Sequence, residues 1–138
     1  MITLKIQLFG GRGAWSSLNT VSKTNHELSD SIDSVVIKTK KYEIVDNKIV
    51  NFALKDGAKH SQDFFDAGYT KDNPEQLKKD IGALYENGKK QNIKYNTDSE
   101  VIKFEIVGEL GKNKLRFLTG WQIDKGDNKA RFITGHRI

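Results

Sequence analysis

Two groups of side chains in this chain have the chemistry to move protons beside a phosphate. The first is the dipeptide Lys59-His60, and the second lies along two alternating apolar runs near the end of the sequence. The polar and aromatic members of the second group are Arg116, Thr119, Trp121, Arg131, Thr134 and His136. Metal-free cleavage of RNA needs a base near neutral pH for the 2′-hydroxyl, an acid for the leaving oxygen, and cations for the phosphorane. Histidine is the side chain best matched to that pH.

This chemistry divides the candidates into a catalytic set and a substrate-binding set. The catalytic set, in which the histidines are base and acid, is His60, His136, Arg131 and Thr134. The substrate-binding set, in which the tryptophan stacks on a base, is Lys59, Arg116, Thr119 and Trp121. We also expect Lys59 at a helix start, where backbone N–H groups favour anions.

Each candidate also has an ordinary structural interpretation. Surface histidines are often merely polar, a tryptophan is more often core, threonine favours strands, and arginines block pairing at sheet edges. Arg131 and Thr134 are three positions apart, so a regular strand would turn them to opposite faces. They can serve one site only where a bulge or the rim of a sheet intervenes.

The basic charge is concentrated near the end of the chain. The formal net charge is +5, and residues 112–138 contain seven basic residues against two acidic ones, which equals the excess of the whole chain. This pattern is typical of a polyanion partner, and ordinary solubilising charge produces it as well. The absence of cysteine excludes disulfides, thiolate catalysis and cysteine metal sites. Since the three histidines are widely separated, we predict no metal and no cofactor.

The sequence predicts one α+β domain over residues 34–138, after a flexible Gly/Ser-rich arm over residues 1–33. In the domain, two helices pack on a four-stranded antiparallel sheet that a β-hairpin precedes. The hairpin covers residues 35–54, because β-branched runs flank the turn dipeptide Asp46-Asn47. The sequence contains no run of eighteen apolar residues, the length needed to span a membrane. Its apolar opening segment is too short and too polar for a secretory signal.

Two helices and three longer strands complete the prediction. The first helix covers residues 58–67, with Gly68 in the left-handed position that ends it. The second helix covers residues 72–90, with Pro74 in its first turn. The strands cover residues 101–109, 115–123 and 130–138, after a short extended piece at 93–95.

Residues 56–138 resemble phage-associated nucleases of the barnase/EndoU/colicin/RelE-like fold. The resemblance rests on the segments DGAKHSQDFFDAGY, TGWQID and ARFITG. It implies an RNA-cleaving domain with two helices before a four-stranded antiparallel sheet and a polar site on the sheet and the first helix. Lys59 matches the basic residue at the helix start, and Trp121, Arg131 and Thr134 match the sheet signature. The two histidines enter from proton-transfer chemistry alone.

The opening segment LKIQLFGGRGA resembles the start of many Gram-positive prophage structural-region proteins. Together the two resemblances imply a metal-independent endoribonuclease of prophage origin, which cleaves RNA by 2′-OH transesterification in the cytoplasm or a phage particle. The alternative is a non-catalytic structural or binding protein of the phage particle, docked to a capsid or portal protein through the arm. A nucleic-acid-binding domain without turnover is a third interpretation, and an immunity protein as a further partner is left open.

Overall fold

The computed structural model describes residues 25–138, with side chains from Leu28 onward. In chain order its elements are α1 Asn25–Lys38, β1 Lys41–Glu43, α2 Asp46–Lys48, α3 Ser61–Ala67, α4 Pro74–Asn87, β2 Lys90–Asn96, β3 Val101–Leu110, β4 Leu115–Ile123 and β5 Lys129–Arg137. A π-helical segment, Ile49–Ala53, continues α2 directly. Within this range no helix combines the length and the apolar character that crossing a membrane requires.

The strands form one five-stranded sheet in the order β1-β5-β4-β3-β2. The α+β class is therefore confirmed, while the prediction of two helices on a four-stranded antiparallel sheet is too simple. Strand β1 pairs parallel to β5 over three residues, which makes the sheet mixed, and all other neighbours are antiparallel. Strand β4 has the predicted bounds, β3 is one residue longer at its end, and β5 begins and ends one residue earlier than predicted.

The β-hairpin predicted over residues 35–54 is wrong. In its first half, residues 35–38 form the end of α1 and only residues 41–43 are a strand, β1. The buried residues Ile32, Val35 and Val36 recur along α1 at helical spacing, and the buried Thr39 follows its last residue. Burial of that stripe outweighs the strand preference of β-branched residues. Its second half is α2 and the π-helical segment. Helix α1 also takes in residues 25–33 of the predicted arm, whereas the remainder of the arm and its docking to a capsid or portal protein lie outside the described residues.

The two predicted helices exist with shifted ends. Helix α3 begins at Ser61, so Lys59 lies in the preceding loop and His60 takes the N-cap position without a side-chain cap bond. Gly68 ends α3 with a left-handed φ of 110°, as predicted. At α4 the side chain of Asn73 accepts a hydrogen bond from the backbone N of Gln76, and Pro74 occupies the first turn.

Lys90, expected at the end of α4, instead begins β2 and binds the end of another helix. Its Nζ donates to the carbonyl oxygens of Val36 at 3.1 Å and Thr39 at 3.2 Å, where α1 ends. Burial, with a smaller contribution from the charge on Lys40, lowers the pKa of Lys90. The contact ties the first helix to the edge of the sheet.

The helices pack on one face of the sheet over an aromatic core. The rings of Trp121 and Tyr85 lie 4.7 Å apart between centroids, and those of Phe64 and Phe117 lie 4.8 Å apart. Along β4 the buried residues alternate with partly exposed or exposed ones, so the strand has a core face and an outward face. The outward face carries the polar residues from which a surface site can be built.

Candidate functional site

His60 and His136, the two histidines with predicted proton-transfer roles, are in contact. The rings of His60 and His136 lie 5.2 Å apart between centroids and are inclined by 31°. His60 comes from the loop before α3, and His136 comes from β5. The Nδ1 atom of His60 also lies 3.7 Å from the carboxylate of Asp63, one turn into α3. Two imidazoles in contact can divide the roles of acid and base between them.

The open edge of β5 brings the histidines together. Strand β1 covers that edge only as far as Arg131, and α3 packs beside the remainder. Gly135 permits this approach, because a Cβ atom there would lie 3.3 Å from Cζ of Phe64. The carboxylate of Asp63 accepts a hydrogen bond from the backbone N of Arg137 at 3.1 Å, which satisfies a donor at the open edge.

A β-bulge at Ile133 sets the direction of the polar side chains on β5. Gly120 is opposite Thr134 and Trp121 is opposite Phe132, which leaves Ile133 as the extra residue. Arg131 is opposite Gln122, so it shares the outward face with Thr134 despite their spacing of three. The spacing of Arg131 and Thr134 required a bulge or a sheet rim for the two to share one face, and the structure provides the bulge.

A pocket of about 350 Å³ lies beside the open edge. Its lining comes from the α2 and π-helical region, the loop before α3, and β5: Lys48, Phe52, Ala53, Ala58, Lys59, His60, Phe64, Phe132, Ile133, Thr134 and Gly135. Among the described residues neither lysine of the lining forms an ion pair. The pocket therefore combines uncompensated positive charge with a histidine and a hydroxyl.

Sequence reasoning missed two members of this pocket, Lys48 and Phe52. Phe52 is 55% exposed, and Nζ of Lys48 lies 5.2 Å from the centre of its ring. Both residues fall in the segment predicted as a hairpin, where side chains four apart point to the same face without meeting. In the observed helical turn, residues four apart are neighbours.

Thr119 and Trp121 are core residues, so their predicted contacts with substrate are wrong. The hydroxyl of Thr119 donates to the carbonyl of Ile106 at 2.7 Å and accepts from Nε1 of Trp121 at 2.9 Å. Trp121 is 1% exposed and contacts Tyr85 and Phe132. A ring enclosed in this way has no face free for a base.

Arg131 is paired internally. Its Nε and Nη2 donate to the two carboxylate oxygens of Asp124 at 3.1 and 3.2 Å. Partial burial raises the pKa of Asp124, but hydrogen bonds from Gln122 and Arg131, with the charge of Arg131, outweigh burial and hold that pKa below its usual value. Arg131 also lies five positions before His136 along the strand, a separation of roughly 15 Å. The structure thus does not bring Arg131 to the histidine pair.

Arg116 lies closer to the pair than Arg131 does. It is exposed on the outward face of β4, two residues before Leu118, which is the partner of His136 in the sheet. The arrangement therefore brings together His60, His136, Lys59 and Thr134, with Arg116 at its margin. Among residues 25–138, no cluster of three or more potential ligands is placed to hold a metal ion.

One protein family matches most of the chain. Its description is "Domain of unknown function (DUF6883)", and the match covers residues 27–138. No curated protein matches the chain, and no solved structure matches it either. The site geometry is therefore the basis from which a function can be argued.

Proposed function

The chain belongs to the DUF6883 family, a domain of unknown function, and we propose that it is a metal-independent endoribonuclease. The observation that carries the proposal is the contact of the His60 and His136 rings, 5.2 Å apart between centroids, beside a pocket whose two lysines have no ion-pair partner among residues 25–138. The proposal agrees with the resemblance of residues 56–138 to phage-associated nucleases. It differs from that resemblance in giving no substrate contact to Trp121.

The reaction uses the pair with one ring protonated and the other neutral. The neutral imidazole takes the proton of the 2′-hydroxyl, and O2′ forms a bond to phosphorus. The bond from phosphorus to O5′ breaks, and the protonated imidazole gives its proton to O5′. The products are a 2′,3′-cyclic phosphate and a 5′-hydroxyl, with no net change in protons or electrons.

The neighbouring groups supply charge and orientation. Asp63 faces Nδ1 of His60 at 3.7 Å, which leaves Nε2 of that ring for the substrate. Lys48 and Lys59 balance the charge that develops on the phosphorane, and the Thr134 hydroxyl lies in the same pocket as a hydrogen-bonding group. Arg116, exposed on the face that carries His136, holds an adjoining phosphate.

The test is cleavage of single-stranded RNA in EDTA by the purified protein and by His60→Gln and His136→Gln. We expect each variant to lose about 100-fold or more in rate, because each removes one proton-transfer group. The wild-type products should carry 2′,3′-cyclic phosphate ends, which mass spectrometry detects. Circular dichroism of each variant checks that it is folded.

His26→Gln is the matched control, since it removes the third histidine of the chain, which has no proposed role. It should cleave at the wild-type rate. Cleavage that disappears in EDTA, or that survives unchanged in both His60→Gln and His136→Gln, would exclude the proposal. Salt-sensitive RNA binding without cleavage would instead identify a nucleic-acid-binding domain.

A further inference from the structure

Phe52 is an exposed aromatic side chain on the wall of the candidate pocket. Its ring is 55% exposed although the neighbouring Ala53 and Leu54 are buried. The π-helical segment presents Phe52 between the pocket and solvent, so more than half of this large apolar side chain contributes no burial to the core. Segments of π-helix occur often at functional sites. This exposed ring therefore needs an explanation outside the core.

The charges around Phe52 favour an anionic partner. The ammonium of Lys48 lies 5.2 Å from the ring centre and occupies one of the two ring faces, and Lys59 lines the same pocket. Neither lysine has an ion-pair partner within the described part of the chain. A flat apolar ring with one cation on its face and a second cation in the same pocket complements a nucleotide, which joins a stacking surface to a phosphate.

The size of the pocket restricts the form of that nucleotide. Its volume of about 350 Å³ lies near the lower end for pockets that bind small ligands, which suits one nucleotide. A base in a duplex has both faces covered by its neighbours, so it cannot stack on a side chain unless it leaves the helix. An unpaired base meets no such barrier.

We infer that Phe52 stacks on the unpaired base next to the scissile phosphate, and that the substrate is single-stranded rather than duplex RNA. This inference rests on the proposed function, because the pocket that Phe52 borders also contains His60 and Thr134. Lys48 and Lys59, which line the same pocket, bind the scissile phosphate beside that base. Phe52 thus fills the stacking role for which the buried Trp121 has no free surface.

The test measures binding separately from cleavage. The probe is a fluorescent single-stranded 2′-O-methyl oligoribonucleotide, which lacks the free 2′-hydroxyl and cannot be cleaved by the proposed reaction. Fluorescence anisotropy gives its Kd for the full-length wild-type chain and for Phe52→Ala, Phe52→Tyr and Val50→Ala. Val50 is the matched control, because it is 51% exposed on the same π-helical segment but lines a different depression.

We expect Phe52→Ala to raise Kd about tenfold or more, as removal of a stacking ring does, and Phe52→Tyr to restore most of the affinity. Val50→Ala should bind like the wild type, and a duplex of the same sequence should bind more weakly and lose nothing further in Phe52→Ala. An unchanged Kd in Phe52→Ala, or equal wild-type affinity for duplex and single strand, would overturn the inference.

The two proposals fail in different ways. If His60→Gln and His136→Gln abolish cleavage while Phe52→Ala keeps the wild-type Kd, the ribonuclease stands and the stacking site is wrong. If Phe52→Ala weakens binding but the wild type cleaves no RNA, the stacking site stands and the catalytic assignment is wrong.

Discussion

The two halves of β5 carry similar residues in different surroundings. Residues 129–131, the closed half, pair with β1, and their cations are neutralised: Lys129 by Glu43 at 3.2 Å and Arg131 by Asp124. Residues 134–137, the open half, have α3 beside them instead of a strand, and His136 contacts His60 there. The bulge at Ile133 separates the two halves.

The difference shows that a basic residue indicates an anion-binding site only when no carboxylate of the same chain already neutralises it. Arg131 belongs to one of the three segments that resemble nucleases, yet its guanidinium already holds a carboxylate. Lys48 belongs to no recognised motif, yet it lines the pocket together with Lys59, and neither lysine has a counter-ion among the described residues. We therefore expect substitutions in the closed half to change stability and those beside the open half to change RNA chemistry.

The largest effect on stability should come from Trp121, which is opposite Phe132 where the closed half meets the bulge. Trp121→Ala should lower the free energy of unfolding by about 3–5 kcal/mol, because it empties a site in the core. Urea denaturation measures the change, and Trp121→Phe, which keeps an aromatic ring, should lose clearly less. A loss below about 1 kcal/mol for Trp121→Ala would mean that the ring is not a core residue.

A smaller effect should follow Gly135→Ala in the open half. The added methyl group would lie 3.3 Å from Cζ of Phe64, so the Phe64 ring of α3 must shift by a few tenths of an ångström. We expect a loss of about 1–2 kcal/mol in unfolding free energy and weaker nuclear Overhauser effects between the rings of His60 and His136. Combining the change with Phe64→Leu should reduce its cost, because the shorter side chain leaves room. If the unfolding free energy and the Overhauser effects both match the wild type, Gly135 does not control how closely α3 packs against β5.

The smallest effect should come from the ion pair of the closed half, and it should depend on pH. The pKa of Asp124 is lowered in the folded protein, so the carboxylate stabilises the fold above its unfolded-state pKa. That stabilisation disappears as the pH falls through the folded-state pKa. Since both side chains are more than a third exposed, we expect Asp124→Asn to lose less than about 1 kcal/mol at pH 7.

Comparing Asp124→Asn with the wild type at pH 7 and in increasingly acid buffers measures this contribution. The stability difference should shrink toward zero at acid pH. A double-mutant cycle with Arg131→Ala isolates the pair, and Arg131→Ala alone should leave RNA cleavage near the wild-type rate. A pH-independent difference would mean that ionisation of Asp124 does not provide this stability. A large loss of cleavage in folded Arg131→Ala would place Arg131 in the site after all.

The parts of the fold that the sequence predicted are those with one dominant local pattern. Strand β4 alternates strictly and has the predicted bounds, and the cap of α4 at Asn73 follows from local side-chain chemistry. The hairpin prediction failed because residues 35–54 are rich in β-branched side chains, a weaker signal than the spacing of Ile32, Val35 and Val36. That spacing was present in the sequence and would have identified α1.

The candidate site was predictable only in part, for a physical reason. His60 and His136 could be proposed because imidazole chemistry is specific to residue type. Whether Trp121 is core or surface, and whether Arg131 has a carboxylate partner, depends on contacts between distant elements. Phe52 could not be recognised while its segment was assigned to a strand. Residue type thus indicated the chemistry, and tertiary contacts decided which residues are available for it.

The order of strands in the sheet also has a consequence for synthesis. Strand β5 comes last of the described elements in the chain, yet it lies between β1 and β4 in the sheet. A ribosome that has made residues 1–128 has therefore produced His60 but neither its partner ring nor the strand that holds the pocket together. On the proposed function, the nascent chain therefore cannot cleave RNA before β5 has been made and has paired between β1 and β4.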